Sequence, residues 1–127
     1  MPQLKSAFIS YSDDGSVKAK QVSGYLGPMN VDTCMFERDL KNNGKHPHQR
    51  VKNAIKKCDS IIMVLSAKSR ESKWVSHELG IASGMNKTIF VIKTAHNLKL
   101  PDYLDEFKVI MLDKLEDLDN YFEKKSN

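Results

Sequence analysis

Two uninterrupted apolar runs in the second half of the chain place the strongest constraint on its fold. Residues 60–65 read SIIMVL and residues 88–92 read TIFVI, without the alternation that one solvent-exposed sheet face imposes. Strands of this kind are covered on both faces, as in parallel sheets whose crossover helices pack on either side. The two runs therefore predict an α/β protein with a parallel sheet.

Shorter patterns predict the remaining elements. The clearest helix face, at positions i, i+3, i+4 and i+7, is formed by Val51, Ala54, Ile55 and Cys58. Further strands are predicted at residues 7–12, 31–36 and 108–112, and further helices at residues 16–26, from Ser72 onwards and from Leu115 to Phe122. Five strands alternating with helices predict a single domain over residues 1–127, a flavodoxin-like three-layer sandwich with a five-stranded parallel sheet.

Composition argues against several classes of protein. The longest apolar runs are far shorter than the ~20 residues of a membrane-spanning helix, and no long apolar segment follows the N-terminus as in a secretory signal. The 20 basic and 16 acidic residues are scattered, without the interleaved aromatic residues typical of nucleic-acid readers. We therefore expect a cytoplasmic domain that binds neither a membrane nor nucleic acid.

The common cofactor and metal motifs are missing from the sequence. Cys34 and Cys58 lie in segments that read as buried, which suits reduced thiols, and neither belongs to a CxxC pair. His46 and His48 lie in a polar loop with no third ligand at a recognisable spacing. Neither GxGxxG nor a complete P-loop occurs. We expect no metal site and no bound cofactor.

Polar residues gather where the first three predicted strands end. Residues 10–14 follow the first strand, residues 36–45 the second, and Ser66 begins the segment after the third. The carboxyl ends of parallel strands form one edge of the sheet, and ligands bind there near the switch in strand order. These three segments are therefore expected to border the functional site.

Four motifs, taken in order, resemble the TIR (Toll/interleukin-1 receptor) domain family. They are FISYSDD at residues 8–14, FERD at residues 36–39 with Gly44, LS at residues 65–66, and SKWVSHEL at residues 72–79. The SxWxxxE pattern in the last motif resembles the prokaryotic type. The resemblance extends over residues 5–92, and the part of the chain beyond them matches only in expecting one more strand and helix.

This resemblance implies one of two functions. Enzymatic TIR domains cleave NAD⁺ between nicotinamide and ribose to give nicotinamide and ADP-ribose or a cyclic isomer, in immune or antiviral signalling. Their catalytic Glu follows an aromatic residue by four positions, as Glu78 follows Trp74. Other members are non-catalytic modules that assemble with further TIR domains. NAD⁺ would then be a substrate rather than a cofactor, and an effector would respond to the nucleotide product.

A single carboxylate suffices for this reaction on chemical grounds. Glycosidases need two because an alkoxide leaving group must be protonated, whereas nicotinamide leaves as a neutral molecule from a cationic bond. One Glu can stabilise the developing oxocarbenium ion or attack C1′. We expect Glu78 to face solvent in a cleft that Trp74, on the same helix face, borders. The alternatives are a surface position for Glu78 and core packing for Trp74.

Further residues are expected at the same edge or in an interface. The candidates for binding the substrate, besides Trp74, are Ser10, Tyr11, Ser12, Asp14, Phe36 and Arg38. Hydroxyl groups suit ribose or phosphate, and the Arg38 guanidinium suits the diphosphate. Helix capping by Ser12 and Asp14, and a surface ion pair of Arg38, are the alternatives. Self-association is expected through the charged loop at residues 37–46, which begins with Glu37 and ends with His46.

Overall fold

The computed structural model describes residues 4–35 and 48–122, apart from the side chains of His48 and Arg70. One sheet holds five strands, and every pairing between them is parallel. The strands are β1 (Ser6–Ser10), β2 (Asp32–Met35), β3 (Ser60–Leu65), β4 (Thr88–Lys93) and β5 (Lys108–Met111). Their spatial order, β2-β1-β3-β4-β5, is the predicted flavodoxin-like one, with the switch point between β1 and β3.

The central strand is β3, as its unalternated apolar sequence predicts. All six of its residues are buried, and it pairs with β1 on one side and β4 on the other. Successive side chains of a strand point to opposite faces. Ile62 and Val64 accordingly join one core, and Ile61, Met63 and Leu65 join the other.

Helices cover both faces of the sheet. One face packs against α1 (Ser16–Leu26) through Ala19, Val22 and Leu26. The opposite face packs against α2 (His48–Lys57) and α3 (Lys73–Gly84). The bounds of α1 agree with its prediction, and Ser72 caps α3 by accepting a hydrogen bond from the Val75 N–H at 3.2 Å. Among the described residues, no helix has the length and apolar content that crossing a membrane requires.

The predicted C-terminal helix is a 3₁₀ segment over Leu112–Asn120, with a kink at Lys114. Apolar residues recur there at every third position, which places them on one face of a helix with three residues per turn. Leu115 and Leu118 are buried against the sheet core shared with α1. Tyr25 of α1 donates a hydrogen bond of 2.8 Å to Asp119, and this bond raises the pKa of Tyr25 to about 12.

The predicted connection between β4 and β5 is also confirmed. Residues 96–107 were expected to form a loop or a short helix around Pro101, and the structure has a single 3₁₀ turn at Asp102–Leu104. Leu104 has no exposed surface, so it anchors this turn in the core beneath α2 and α3.

Candidate active site

A carboxylate buried between β1 and α3 distinguishes the carboxyl edge of the sheet. Ser10, the last residue of β1, donates a hydrogen bond from Oγ to Glu78 Oε1 at 2.8 Å. Both residues are completely buried. A buried carboxylate is costly unless hydrogen bonds compensate it, so this contact helps to hold Glu78 beside the switch point between β1 and β3.

The expectation that Glu78 faces solvent in a cleft is wrong, since its exposed fraction is 0%. The buried residues of α3 are Val75, Glu78, Leu79 and Ala82, at positions i, i+3, i+4 and i+7. Glu78 therefore occupies one position of the stripe that packs on the sheet. Its carboxylate therefore faces the core rather than solvent.

Trp74 lies one helical turn before Glu78 and is half-buried. It packs against the core cluster that includes Val75 and Leu79, and its ring meets His77 edge to face at 6.1 Å between centroids. Core packing, the alternative given from the sequence, therefore accounts for part of its surface. The exposed remainder leaves Trp74 as a candidate for contact with substrate.

Asp14 joins two of the three loops that were expected to converge. The hydroxyls of Ser12 and Ser66 donate to its Oδ1 at 2.5 and 2.7 Å, and the N–H of Lys68 donates to Oδ2 at 3.0 Å. Burial opposes ionisation, but these hydrogen bonds outweigh it and lower the pKa of Asp14. The β1–α1 connection is thereby fastened to the β3–α3 connection.

The same two connections approach each other closely at Gly15. A Cβ atom there would lie 3.4 Å from Ser66 Oγ and from Val64 Cγ1. A Cβ atom at this position would lie in van der Waals contact with the end of β3, which shows how closely the two connections are packed.

Comparison with known proteins supplies the family. The TIR domain family model matches residues 7–124. This chain belongs to the TIR domain family. No curated protein sequence matches it.

Two solved structures share the fold of this TIR domain. The TIR domain of the Toll-related receptor TRR-2 from Hydra magnipapillata is 16% identical, with a TM-score of 0.64, and the match covers 91% of this chain and 90% of that one. The CMP N-glycosidase BcmB from Clostridium botulinum is 21% identical, with a TM-score of 0.56, over 92% of this chain and all of that one. At these identities the likeness concerns the fold.

The structure brings only some of the predicted site residues of this TIR domain together. Ser10 contacts Glu78, while Ser12 and Asp14 lie in the neighbouring network. Tyr11 is almost completely buried in the core beneath α1, on the opposite face of the sheet from Glu78. Adjacent residues at a strand end point to opposite faces, and this explains the separation of Tyr11 from Ser10.

Two predicted site residues and one predicted interface lie outside the described residues. They are Phe36, Arg38 and the loop at residues 37–46. Their roles in substrate binding and self-association therefore stay predictions from the sequence.

The two thiols of this TIR domain are free and suited to packing rather than reaction. Burial raises the pKa of Cys58 to about 11. Burial and the Glu78 carboxylate also raise the pKa of Cys34, while Arg50 opposes them. Both thiols are protonated at neutral pH, which disfavours nucleophilic chemistry. Within residues 4–35 and 48–122, no group of three or more potential metal ligands is present.

Ser66 is the site residue to which the sequence analysis gave no role. It was placed among the converging segments, but its contact with Asp14 depends on two loops separated by 52 positions. The signal that could have found it is a hydroxyl directly after a fully apolar strand, at the edge where ligands bind.

Proposed function

We propose that this TIR domain is an NAD⁺ nucleosidase that cleaves the nicotinamide–ribose bond, giving nicotinamide and ADP-ribose or a cyclic isomer. The observation that carries the proposal is the buried Glu78 carboxylate, which Ser10 holds at the carboxyl end of β1. Ligands of parallel α/β sheets bind at this edge beside the switch point. A carboxylate removed from water interacts strongly with a positive charge that develops next to it.

The reaction needs few groups from the protein. The electron pair of the C1′–N bond leaves with nicotinamide, whose ring nitrogen becomes neutral, while the ribose takes on oxocarbenium character. Glu78 stabilises that positive charge, and Ser10 keeps one carboxylate oxygen in a fixed position. Water then adds to C1′ and releases a proton, or a nucleophilic group of the ADP-ribose portion adds instead, closes the cyclic isomer and likewise loses a proton.

The likeness to a CMP N-glycosidase supports this class of reaction. That protein has the same overall fold at a TM-score of 0.56, and its name describes cleavage of a nucleotide at an N-glycosidic bond. Nicotinamide is likewise joined to ribose through nitrogen.

Complete burial of Glu78 adds a condition to the proposal. Ribose cannot reach a carboxylate with no exposed surface, so the groups that cover Glu78 must move before the reaction. The conformation described is then the resting one, and a less populated open form binds substrate.

The second candidate is a TIR interaction module without catalytic activity. The observation that favours it is again the burial of Glu78, since a carboxylate bonded to Ser10 inside the stripe of α3 is also able to act as a structural polar contact. The two candidates make opposite predictions for NAD⁺ turnover.

The biological setting that we propose comes from the sequence. The domain would act in the cytoplasm, in immune or antiviral signalling, through self-association by residues 37–46 and an effector that responds to the nucleotide product. The SxWxxxE pattern of residues 72–78 favours the prokaryotic type. Ser12, Asp14, Phe36, Arg38 and Trp74 are its proposed substrate contacts.

The decisive experiment is incubation of concentrated protein with NAD⁺ and measurement of nicotinamide by chromatography. We expect release by the wild type, and a loss of roughly 10²-fold or more in Glu78→Gln, because a few kcal/mol of transition-state stabilisation disappears at about 1.4 kcal/mol per tenfold. The melting temperature should stay equal or rise, since Gln keeps the shape and removes a buried charge.

Glu116→Gln is the matched control, because Glu116 is an exposed carboxylate on the C-terminal 3₁₀ segment. It should retain wild-type activity. Undiminished release of nicotinamide by a folded Glu78→Gln protein would show that another residue carries out the reaction. A wild type that releases no nicotinamide at any concentration would favour the interaction module.

A further inference from the structure

An open cavity of about 380 Å³ lies beside the carboxyl end of β3, and neither Ser10 nor Glu78 is among the described residues that line it. Ala67 and Glu71 line it from the β3–α3 connection, and Pro101 and Tyr103 line it from the β4–β5 connection. Its volume falls in the range of small-molecule sites. None of these four residues has a role in the proposed cleavage step.

One wall of the cavity is an exposed aromatic ring on a rigid support. Tyr103 is 54% exposed, although it belongs to the Asp102–Leu104 turn that Leu104 anchors in the core. The N–H of Leu104 donates to the carbonyl of Pro101 at 2.9 Å and fixes the turn further. A flat ring carried by an anchored turn beside a cavity is a surface on which a heterocycle can stack.

The opposite wall carries a hydrogen-bond acceptor. Glu71 is exposed and ends a short 3₁₀ turn over Ser69–Glu71, in which its N–H donates to the carbonyl of Lys68 at 3.2 Å. Ser69 holds the start of the turn through two hydrogen bonds with the backbone of Ser66. An ionised carboxylate only accepts hydrogen bonds, so Glu71 selects a ligand with an N–H or O–H donor.

We propose that this cavity binds an aminopurine base of a nucleotide, with Tyr103 stacked on the ring and Glu71 accepting a hydrogen bond from the amino group. The choice of adenine rests on the proposed function, because adenine is the base at the far end of NAD⁺. Pro101 adds a second apolar surface next to the ring.

The cavity and Glu78 are linked through the β3–α3 connection and the start of α3. The β3–α3 connection contacts Asp14 on its β1 side through Ser66, while Ala67 and Glu71 line the cavity. Glu71 precedes Ser72, the cap of α3, and Glu78 lies in the second turn of the helix, roughly 8 Å along its axis from the first residue, Lys73, at about 1.5 Å per residue. In the proposed complex, the base at Tyr103 and the ribose at Glu78 are the two ends of one NAD⁺ molecule.

The test is titration of the full chain with AMP, followed by NMR or calorimetry, since binding of AMP needs no cleavage. Tyr103→Ala should weaken binding roughly tenfold through loss of stacking, whereas Tyr103→Phe should bind like the wild type. Purine riboside 5′-monophosphate, which lacks the amino group, should bind several-fold more weakly than AMP. That difference should vanish in Glu71→Ala and persist in the Glu116→Ala control.

The outcomes separate this proposal from the proposed function. AMP binding with the expected variant effects supports the cavity as a base site even where nicotinamide is never released. Two results together would overturn the base site and leave the nucleosidase intact. Tyr103→Ala would cleave NAD⁺ with an unchanged KM, and neither Tyr103→Ala nor Glu71→Ala would weaken the binding of AMP. Failure of AMP to bind the wild type overturns it as well.

Discussion

Ser10 and Glu78 are 68 positions apart in sequence, yet their side chains are hydrogen-bonded to each other at the end of β1. The hydroxyl of Ser10 is buried and has the carboxylate as its acceptor, while the carboxylate gains a donor inside the protein. In the proposed mechanism Ser10 therefore positions Glu78, whereas the sequence alone suggested a direct contact with the substrate.

A substitution at Ser10 tests this positioning role. Ser10→Ala should lower kcat by roughly tenfold to 100-fold, because a hydrogen bond to a charged group contributes about 1.5–3 kcal/mol. The KM for NAD⁺ should change little, since a residue that only positions Glu78 makes no contact with the substrate. Steady-state kinetics on Ser10→Ala and Ser10→Thr measures both constants.

Ser10→Thr should recover most of the activity, because threonine keeps the hydroxyl. Ser83→Ala, at an exposed position of α3, is the matched control and should behave as wild type. A rise in KM with kcat unchanged in Ser10→Ala would instead assign Ser10 to substrate binding.

At the scale of elements, local sequence patterns were sufficient to predict a strand or helix wherever the pattern fitted only one type of secondary structure. The apolar runs of β3 and β4 and the stop at Gly27-Pro28 after α1 needed no tertiary information. The C-terminal segment did need tertiary information. Apolar residues three positions apart fit either an α-helix or a 3₁₀ helix, and packing decides between them.

The candidate site was less predictable than the sheet. The resemblance to the TIR family made Glu78 a candidate through its position four residues after Trp74, but its burial depends on which face of α3 meets the sheet, and that face is a tertiary property. The cavity at Tyr103 joins two connections that are distant in sequence, and no local signal indicated it.

The contacts of Asp14 predict a pH-dependent contribution to stability. Its pKa is lower in the folded protein than its usual 3.8, so the ionised form stabilises the fold above that value. The contribution is lost as the pH falls through the lower folded pKa. Asp14→Asn should therefore reduce the free energy of unfolding at neutral pH, and the difference from wild type should shrink below about pH 4.

Denaturant unfolding of both proteins across the acidic range measures this difference. Asp13→Asn is the control, because Asp13 is the exposed neighbour in the same turn, and its effect on the free energy of unfolding should be small. A deficit in Asp14→Asn that stays constant from neutral to strongly acidic pH would show that the ionised carboxylate contributes nothing through its hydrogen bonds.

At the scale of the whole molecule, the buried Glu78 and the proposed self-association belong together. If the open form is rare in an isolated domain, contacts with a second copy can select it by mass action. We therefore expect nicotinamide release per molecule to rise with protein concentration. Assays over a wide dilution series, at constant NAD⁺, measure this dependence.

Charge reversal in the loop at residues 37–46 provides the matching variants. Arg38→Glu and Lys45→Glu should weaken self-association, measured by sedimentation, and should lower activity most at intermediate concentrations. If specific activity is constant over the whole series, self-association is not part of the mechanism. The conformational opening at Glu78 would then be a property of the single domain.

Trp74 gives this molecule an internal optical reporter. It is the one tryptophan of the chain, it is half-buried, and it lies a single helical turn from Glu78. Indole emission responds to the polarity around the ring, so an opening that uncovers Glu78 should also shift the emission wavelength of Trp74. Stopped-flow fluorescence can then time the opening separately from bond cleavage, without any attached dye.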